Sequence, residues 1–98
     1  MDTYKAGLWP LEEALSSLQS RQEAEALMSA LMTPHEITSF EHRWQALQLL
    51  HLGETQRAVR DRLHVSIATV SRAARTINEH PEIVRKIVDR RRGAATKG

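Results

Sequence analysis

Residues 55–77, with the sequence TQRAVRDRLHVSIATVSRAARTI, constrain the fold of this 98-residue chain more than any other stretch. Two short segments with apolar residues at helical spacing flank a turn at residues 64–66. The apolar face of the first segment is formed by Ala58, Val59 and Leu63. The second segment follows Ser66, a favourable N-cap, and its apolar face is formed by Ile67, Val70, Ala74 and Ile77. Two short helices around so tight a bend are typical of a helix-turn-helix.

The other faces of these two segments carry residue types that suit DNA. A recognition helix in the major groove needs small residues in its first turns so that its backbone comes close to the bases, and Ala68 and Thr69 meet this need. The preceding helix crosses the DNA backbone, where arginine and glutamine side chains can contact phosphates. The candidate DNA-binding residues are Gln56, Arg57, Arg60, Ile67, Ala68, Thr69, Ser71 and Arg72.

Two positions depart from the usual helix-turn-helix pattern. A small residue is usual where Arg60 stands, and glycine is usual in the turn where His64 stands. A non-glycine residue at positive φ is uncommon, but histidine is among the types that tolerate it. An ordinary helical hairpin with a solvated basic face is therefore the alternative interpretation.

The distribution of charge favours a nucleic-acid partner. Residues 1–53 contain three Lys and Arg against seven Asp and Glu, a net charge of −4, whereas residues 54–98 contain eleven against five, a net charge of +6. The basic half is the half that contains the predicted helix-turn-helix. Such asymmetry is expected where DNA phosphates are bound, although a merely solvated charged surface is the alternative.

Composition argues against several other classes of function. The chain contains no cysteine, and none of its five histidines are spaced four residues apart, so we expect no disulfide and no metal site. No glycine-rich phosphate loop and no assembled set of catalytic residues is visible, so we expect neither an enzyme nor a bound cofactor. The longest apolar runs are only a few residues, which predicts a soluble, cytoplasmic protein without membrane contact.

A long helix is predicted to precede the helix-turn-helix. Thr33, Pro34 and Glu36 stand at the N-cap, N1 and N3 positions of a capping box, and Gly53 is a favourable C-cap. The apolar residues between these ends cover an unusually wide surface: Ile37, Phe40, Trp44, Leu47, Leu49, Leu50 and Leu52. Because the chain is short, this surface favours the core of a homodimer, and central burial within a monomer is the alternative.

The remaining segments also follow helical patterns. Pro10 suits the first turn of a short helix, Ser20 with Glu23 predicts a second helix, and Pro81 can open a last one. The arginine run at residues 90–92 leads into a small, polar end. The sequence therefore predicts an all-α fold of about six helices, with one helical domain over residues 1–89 and a basic, disordered tail over residues 90–98.

From Leu31 to Ile77 the sequence resembles the tryptophan repressor family, including its YerC-like branch. The resemblance rests on LMTP at residues 31–34, Arg43, LLHLGE at residues 49–54, TQR at residues 55–57 and SIATVSR at residues 66–72. It implies an intertwined all-helical homodimer that binds double-stranded DNA at a palindromic operator as a transcriptional repressor. Its operator half-sites would be spaced by the dimer axis.

The resemblance also implies a binding site for an amino acid. In tryptophan-responsive members, two arginines hold the indole ring and one of them pairs with the carboxylate, and the matching residues here are Arg43 and Arg72. A threonine from the other chain and a serine complete that site, and Thr33 and Thr76 stand at their positions. L-tryptophan, or another small amino-acid-like ligand, is thus a candidate corepressor. Ala73 stands where those members have glycine, and its methyl group could crowd the indole.

Two other interpretations remain open. One is a DNA-binding regulator of the same family that does not respond to tryptophan. In that case Arg43 forms an ion pair with Glu36 or Glu41, and Arg72 contacts a DNA phosphate. The other is a helical protein-interaction module whose wide apolar helix docks on a partner.

Overall fold

The computed structural model describes residues 7–97, with side chains through Arg91. Over this range all of the regular secondary structure is helical, as predicted, and there is no strand. Its six helices are α1 (Leu11–Ser16), α2 (Arg21–Leu31), α3 (Pro34–His51), α4 (Gln56–Leu63), α5 (Ile67–Glu79) and α6 (Pro81–Lys97). The chain divides into two compact units between Ile37 and Thr38.

In the first unit, side-chain caps set the helix starts that the sequence predicted. The Ser20 hydroxyl accepts a hydrogen bond from the Glu23 N–H at 3.1 Å, and α2 begins at the next residue. At the start of α3, the Thr33 hydroxyl accepts from the Glu36 N–H at 3.1 Å, while the Glu36 carboxylate accepts from the Thr33 N–H at 2.9 Å. Each of these bonds satisfies a backbone donor that the first helical turn leaves without a partner.

The capping box at the start of α3 also affects the charge of its acid. Hydrogen bonds from the Thr33 backbone N–H and from its side chain lower the pKa of Glu36, because both favour the ionised carboxylate. The negative charge also lies at the positive end of the α3 dipole. The start of α3 is therefore strongest when Glu36 is deprotonated.

The far end of α3 is set by Gly53. Gly53 has φ +100°, a backbone conformation that glycine adopts without steric cost. Its N–H donates to the Leu50 carbonyl at 3.0 Å, and the Glu54 N–H donates to the Leu49 carbonyl at 3.1 Å. This is the Schellman arrangement, so Gly53 acts as the C-cap that the sequence predicted.

The second unit has a small, fully apolar core. Helices α3, α4, α5 and α6 all contribute to it, and α5 packs on both α4 and α6. Its buried residues are Ala46, Leu47, Val59, Val70, Ala73, Val84 and Val88. The His51 ring also lies 3.4 Å from the Asp89 carboxylate, which connects the end of α3 to α6. Because α5 shares this core with three other helices, packing fixes its position within the second unit.

The last helix is longer than the sequence predicted. It begins at Pro81, as expected, but it continues through Lys97, past residue 90 where the sequence predicts a disordered tail. Arginine and alanine are good helix formers, and the single Gly93 does not end the helix. Gly98 lies outside the described residues, and the assignment of residues 1–89 to one domain stays a prediction.

Candidate DNA-reading surface and adjoining cleft

The helix-turn-helix is formed by α4, a turn at residues 64–66 and α5. The Thr55 hydroxyl caps α4 by accepting from the Ala58 N–H at 3.1 Å, and the Ser66 hydroxyl caps α5 by accepting from the Thr69 N–H at 3.1 Å. In the turn, His64 adopts φ +56° and ψ +44°, in the left-handed region. A histidine thus takes the conformation for which glycine is usual, and the turn closes as the sequence predicted.

Most of the predicted DNA-binding residues lie on the exposed surface of this motif. On α4 the exposed residues are Gln56 and Arg57, and on α5 they are Ile67, Ala68, Ser71 and Arg72. Arg60 and Thr69 are half-buried. Opposite this surface, Val70 and Ala73 are fully buried in the core. The first turns of α5 therefore present the small side chains of Ala68 and Ser71 outward together with the larger Ile67 and Arg72, and the small ones suit close approach in a groove.

The three arginines of α4 differ in whether they form ion pairs. Arg60 forms an ion pair with the neighbouring Asp61 at 3.0 Å, and Arg62 forms one with Glu54 at 2.5 Å. Arg57 is exposed and forms no ion pair within the part of the chain that the structure describes. Among the α4 cations, Arg57 is thus the one most available to an external anion.

Two of the predicted residues contact each other across the motif. The Ser71 hydroxyl donates to the Gln56 side-chain oxygen at 3.4 Å, a long hydrogen bond that links the start of α4 to the exposed face of α5. The Thr69 hydroxyl lies 2.9 Å from the Ser66 hydroxyl within the α5 cap. Gln56 and Ser71 are therefore positioned partly by each other, and Thr69 is positioned by the α5 cap residue Ser66.

The predicted ligand-binding arginines lie in one cleft, between α3 and α5. Its walls are formed by Ser39, His42, Arg43, Thr69 and Arg72, and its volume is about 70 Å³. The Arg43 guanidinium lies over the Phe40 ring, 4.9 Å from its centroid, in a cation–π contact. Arg43 and Arg72 are thus brought together although 29 positions separate them in the sequence.

The other two predicted ligand residues, Thr33 and Thr76, are not among the residues that line this cleft. Thr33 belongs to the first unit, where it caps α3. The Thr76 hydroxyl donates to the Arg72 carbonyl at 3.0 Å, so it is engaged within α5. Their roles in ligand binding stay predictions, and for Thr33 the prediction involves a second chain.

Sequence reasoning missed three residues of these surfaces. Ser39 and His42 line the cleft, and Arg75 is exposed on α5, seven residues after Ala68 and therefore on the same helical face. The signal for the first two was present, since Ser39, His42 and Arg43 are spaced three and four residues apart. This spacing places the three side chains on one face of α3, but it indicates a site only together with Thr69 and Arg72 of α5, which form the opposite wall.

Metal-ligand clusters and membrane-spanning helices are both absent from the part of the chain that the structure describes. No group of three or more His, Cys, Asp and Glu side chains in residues 7–97 is placed to hold a metal ion. Within the same range, none of the helices combines the length and the apolar character needed to cross a bilayer. The chemistry-bearing features described above are therefore the reading surface of α4 and α5 and the adjoining cationic cleft.

Comparison with known proteins agrees with this architecture. No curated protein and no solved structure gives a significant match to the chain. Residues 6–92 match the family described as Trp repressor protein. This match covers most of the chain, including the helix-turn-helix and both walls of the cleft. The protein is therefore a member of the Trp repressor family, a family of DNA-binding transcriptional regulators.

Proposed function

We propose that this protein is a transcriptional repressor that binds a palindromic DNA operator as a homodimer and acts by binding rather than by catalysis. The observation that carries the proposal is the exposed surface of the helix-turn-helix. There Ala68 and Ser71 of α5 and the available cation Arg57 of α4 are all exposed, and Ser71 is hydrogen-bonded to Gln56, the residue next to Arg57. Small residues suit approach to base edges, and an unpaired arginine suits phosphate.

Uncovered apolar side chains support the homodimer. Several large hydrophobic residues of α1 and α3 are exposed: Leu11, Leu15 and Phe40 are about half exposed, and Trp44 is 37% exposed. Large apolar side chains exposed in this way in both units are usually covered by a partner, and a second copy of the chain provides a symmetric one. Two reading surfaces related by a two-fold axis would contact half-sites one helical turn of DNA apart.

L-tryptophan is the corepressor that the family resemblance suggests. The two arginines of the cleft support a ligand that carries an anionic group, because guanidinium pairs with carboxylate. A ligand of this kind would act by stabilising the arrangement of reading surfaces that fits the operator. A regulator that does not bind tryptophan would have the same DNA-reading surface, but tryptophan would not change its affinity for DNA.

The first test is selection of duplexes from a random pool, followed by titration of the selected sequence at fixed ionic strength. We expect a palindrome with two half-sites. Arg57→Ala should weaken binding about fivefold or more and reduce the salt slope by about 2, because it removes one phosphate contact from each protomer of the dimer. Thr69→Ala should also weaken binding. Arg21→Ala is the matched control, since it removes the same charge from an exposed pair with Glu25 in α2.

The outcomes of this test separate the open interpretations. Failure to select any preferred sequence would contradict the repressor proposal and favour a protein-interaction module. Equal binding by folded Arg57→Ala, Thr69→Ala and wild-type proteins would contradict the assigned surface. Repeating the titration with L-tryptophan tests the corepressor: several-fold tighter binding supports it, and unchanged binding indicates a regulator that does not respond to tryptophan.

A further inference from the structure

The last turns of α5 carry two exposed, opposite charges that the predicted DNA contacts do not include. Arg75 and Glu79 are four residues apart, so they lie on one face of the helix. Both residues are exposed, and among the side chains that the structure describes neither forms an ion pair, with the other or with any third residue. The guanidinium of Arg75 is therefore available to an external anion.

Arg75 lies in the middle of the exposed face of α5. It follows Ser71 by four residues and Ala68 by seven, so all three project from the same side of the helix. On one flank of this face, Ser71 is hydrogen-bonded to Gln56 of α4. On the other flank, Arg72 lines the cleft with α3. Arg75 is thus the arginine of α5 that lies on the reading surface and outside the cleft.

The distance along α5 determines which part of the DNA Arg75 can reach. In a helix-turn-helix, the N-terminal residues of the recognition helix contact base edges. Seven residues of helix span about 10 Å, which is close to the roughly 12 Å width of the major groove. When Ala68 is at the bases, Arg75 therefore lies near the rim of the groove, where the phosphates are. Guanidinium suits a phosphate there, because its paired N–H donors match the phosphate oxygens.

We infer that Arg75 binds a backbone phosphate at the rim of the major groove, and that the DNA-contacting surface of α5 ends between Arg75 and Glu79. This inference rests on the proposed function, because it adds a contact to the same reading surface. The Glu79 carboxylate repels phosphates, and it stands about 6 Å further along the helix than Arg75. Arg75 therefore adds affinity for any duplex, whereas the choice of bases is left to the first turns of α5.

The first experiment measures binding of full-length Arg75→Gln protein to the selected duplex and to a duplex of unrelated sequence, at several salt concentrations. We expect affinity for both duplexes to fall by a similar factor, about fivefold or more. The salt slope should fall by about 2, because the dimer loses one phosphate contact from each protomer. Arg75→Lys should retain the salt slope, since lysine keeps the charge. Arg90→Gln, which removes an exposed and unpaired cation of α6 in the described range, is the control for net charge.

The second experiment tests the proposed end of the contact surface with Glu79→Gln. This change removes a charge that repels phosphate and should tighten binding to both duplexes about threefold, as expected for one exposed charge interaction. Glu82→Gln is the matched control, because it removes an exposed acid from the first turn of α6. Circular dichroism shows whether each variant is folded.

The outcomes distinguish this inference from the proposed function. If the wild-type protein selects no preferred sequence, both are overturned. If it selects a palindrome but Arg75→Gln keeps wild-type affinity and salt slope, only the inference is overturned.

Two further results would contradict it. One is a loss confined to the selected duplex, with relaxed preference at one base pair of each half-site and no rescue by Arg75→Lys, because Arg75 would then read a base. The other is a Glu79→Gln protein that binds DNA no more tightly than Glu82→Gln, which would contradict the proposed end of the contact surface.

Discussion

The helix-turn-helix and the first two helices of the chain bury their apolar side chains to very different extents. In the helix-turn-helix, Val59 and Val70 are fully buried. Helices α1 and α2 contain no buried residue, and Leu11, Leu15 and Leu31 are each more than half exposed. The second unit, which contains the helix-turn-helix, therefore forms a core within a single chain. The apolar side chains of α1 and α2 are left exposed in the single chain, and the proposed homodimer would cover them.

The strongest way to test this difference is to place a charge in the core of the second unit. Val70→Asp should lower the free energy of unfolding by about 4 kcal/mol or more, because an unpaired carboxylate would replace a fully buried valine. Urea denaturation followed by circular dichroism measures the loss. The control is Asn78→Asp on the exposed side of α5. Equal urea midpoints for the two variants would show that Val70 is not in a packed core.

Substitutions in the apolar stripe of α1 should weaken the proposed homodimer and have little effect on the core of the second unit. Leu15 is 52% exposed in the single chain, so covering it would contribute about 1 kcal/mol in each protomer. Leu15→Ala should thus raise the dimer dissociation constant about thirtyfold, measured by sedimentation equilibrium. Glu12→Ala, on the same helix, should leave it unchanged. A wild-type protein that remains monomeric, or a Leu15→Ala dimer as tight as wild type, would contradict the proposed role of α1.

The caps of the two units should differ in their pH dependence. Thr33→Ala and Thr55→Ala should each cost about 1 kcal/mol of stability at neutral pH, since each removes a side-chain cap. Only the first cap includes a carboxylate. Because the pKa of Glu36 is lowered in the folded protein, its stabilising effect is present above the ordinary carboxyl pKa and is lost as the pH falls through the folded value.

The difference in stability between wild type and Thr33→Ala should therefore shrink on acidification, and NMR titration should show the pKa of Glu36 rising toward its usual value in the variant. The difference between wild type and Thr55→Ala should stay nearly constant, since Ala58 stands at the capping-box position there. Parallel pH profiles for the two variants would argue against a reciprocal capping box at Thr33.

These contrasts also explain which features were predictable from the sequence. The starts of α2, α3 and α5 depend on hydroxyl caps at Ser20, Thr33 and Ser66, whose partners lie within three residues, so a local pattern was enough. The end of α6 was not predicted because a run of arginines fits both a solvated tail and a helix.

The cleft shows the limit of local patterns. Ser39 and Thr69 are 30 positions apart in the sequence, and only the packing of α3 and α5 on a shared core makes them walls of one site. The family resemblance suggested Arg43 and Arg72 as partners, but it did not include Ser39 or His42. These two residues became candidates only once the structure placed them beside the arginines.

The smallest expected effect concerns the two left-handed residues that end α3 and α4. Gly53 and His64 both have positive φ, but only His64 carries a Cβ that is strained there. His64→Gly should therefore raise the free energy of unfolding by about 0.5–1 kcal/mol, since relief of strain exceeds the added flexibility of the unfolded chain. Gly53→Ala should lower it by about 1 kcal/mol for the converse reason. Urea denaturation measures both changes.

Because His64 lies in the turn and outside the predicted DNA contacts, His64→Gly should leave DNA affinity unchanged. A loss of DNA affinity with a gain in stability would mean that the His64 side chain itself belongs to the reading surface.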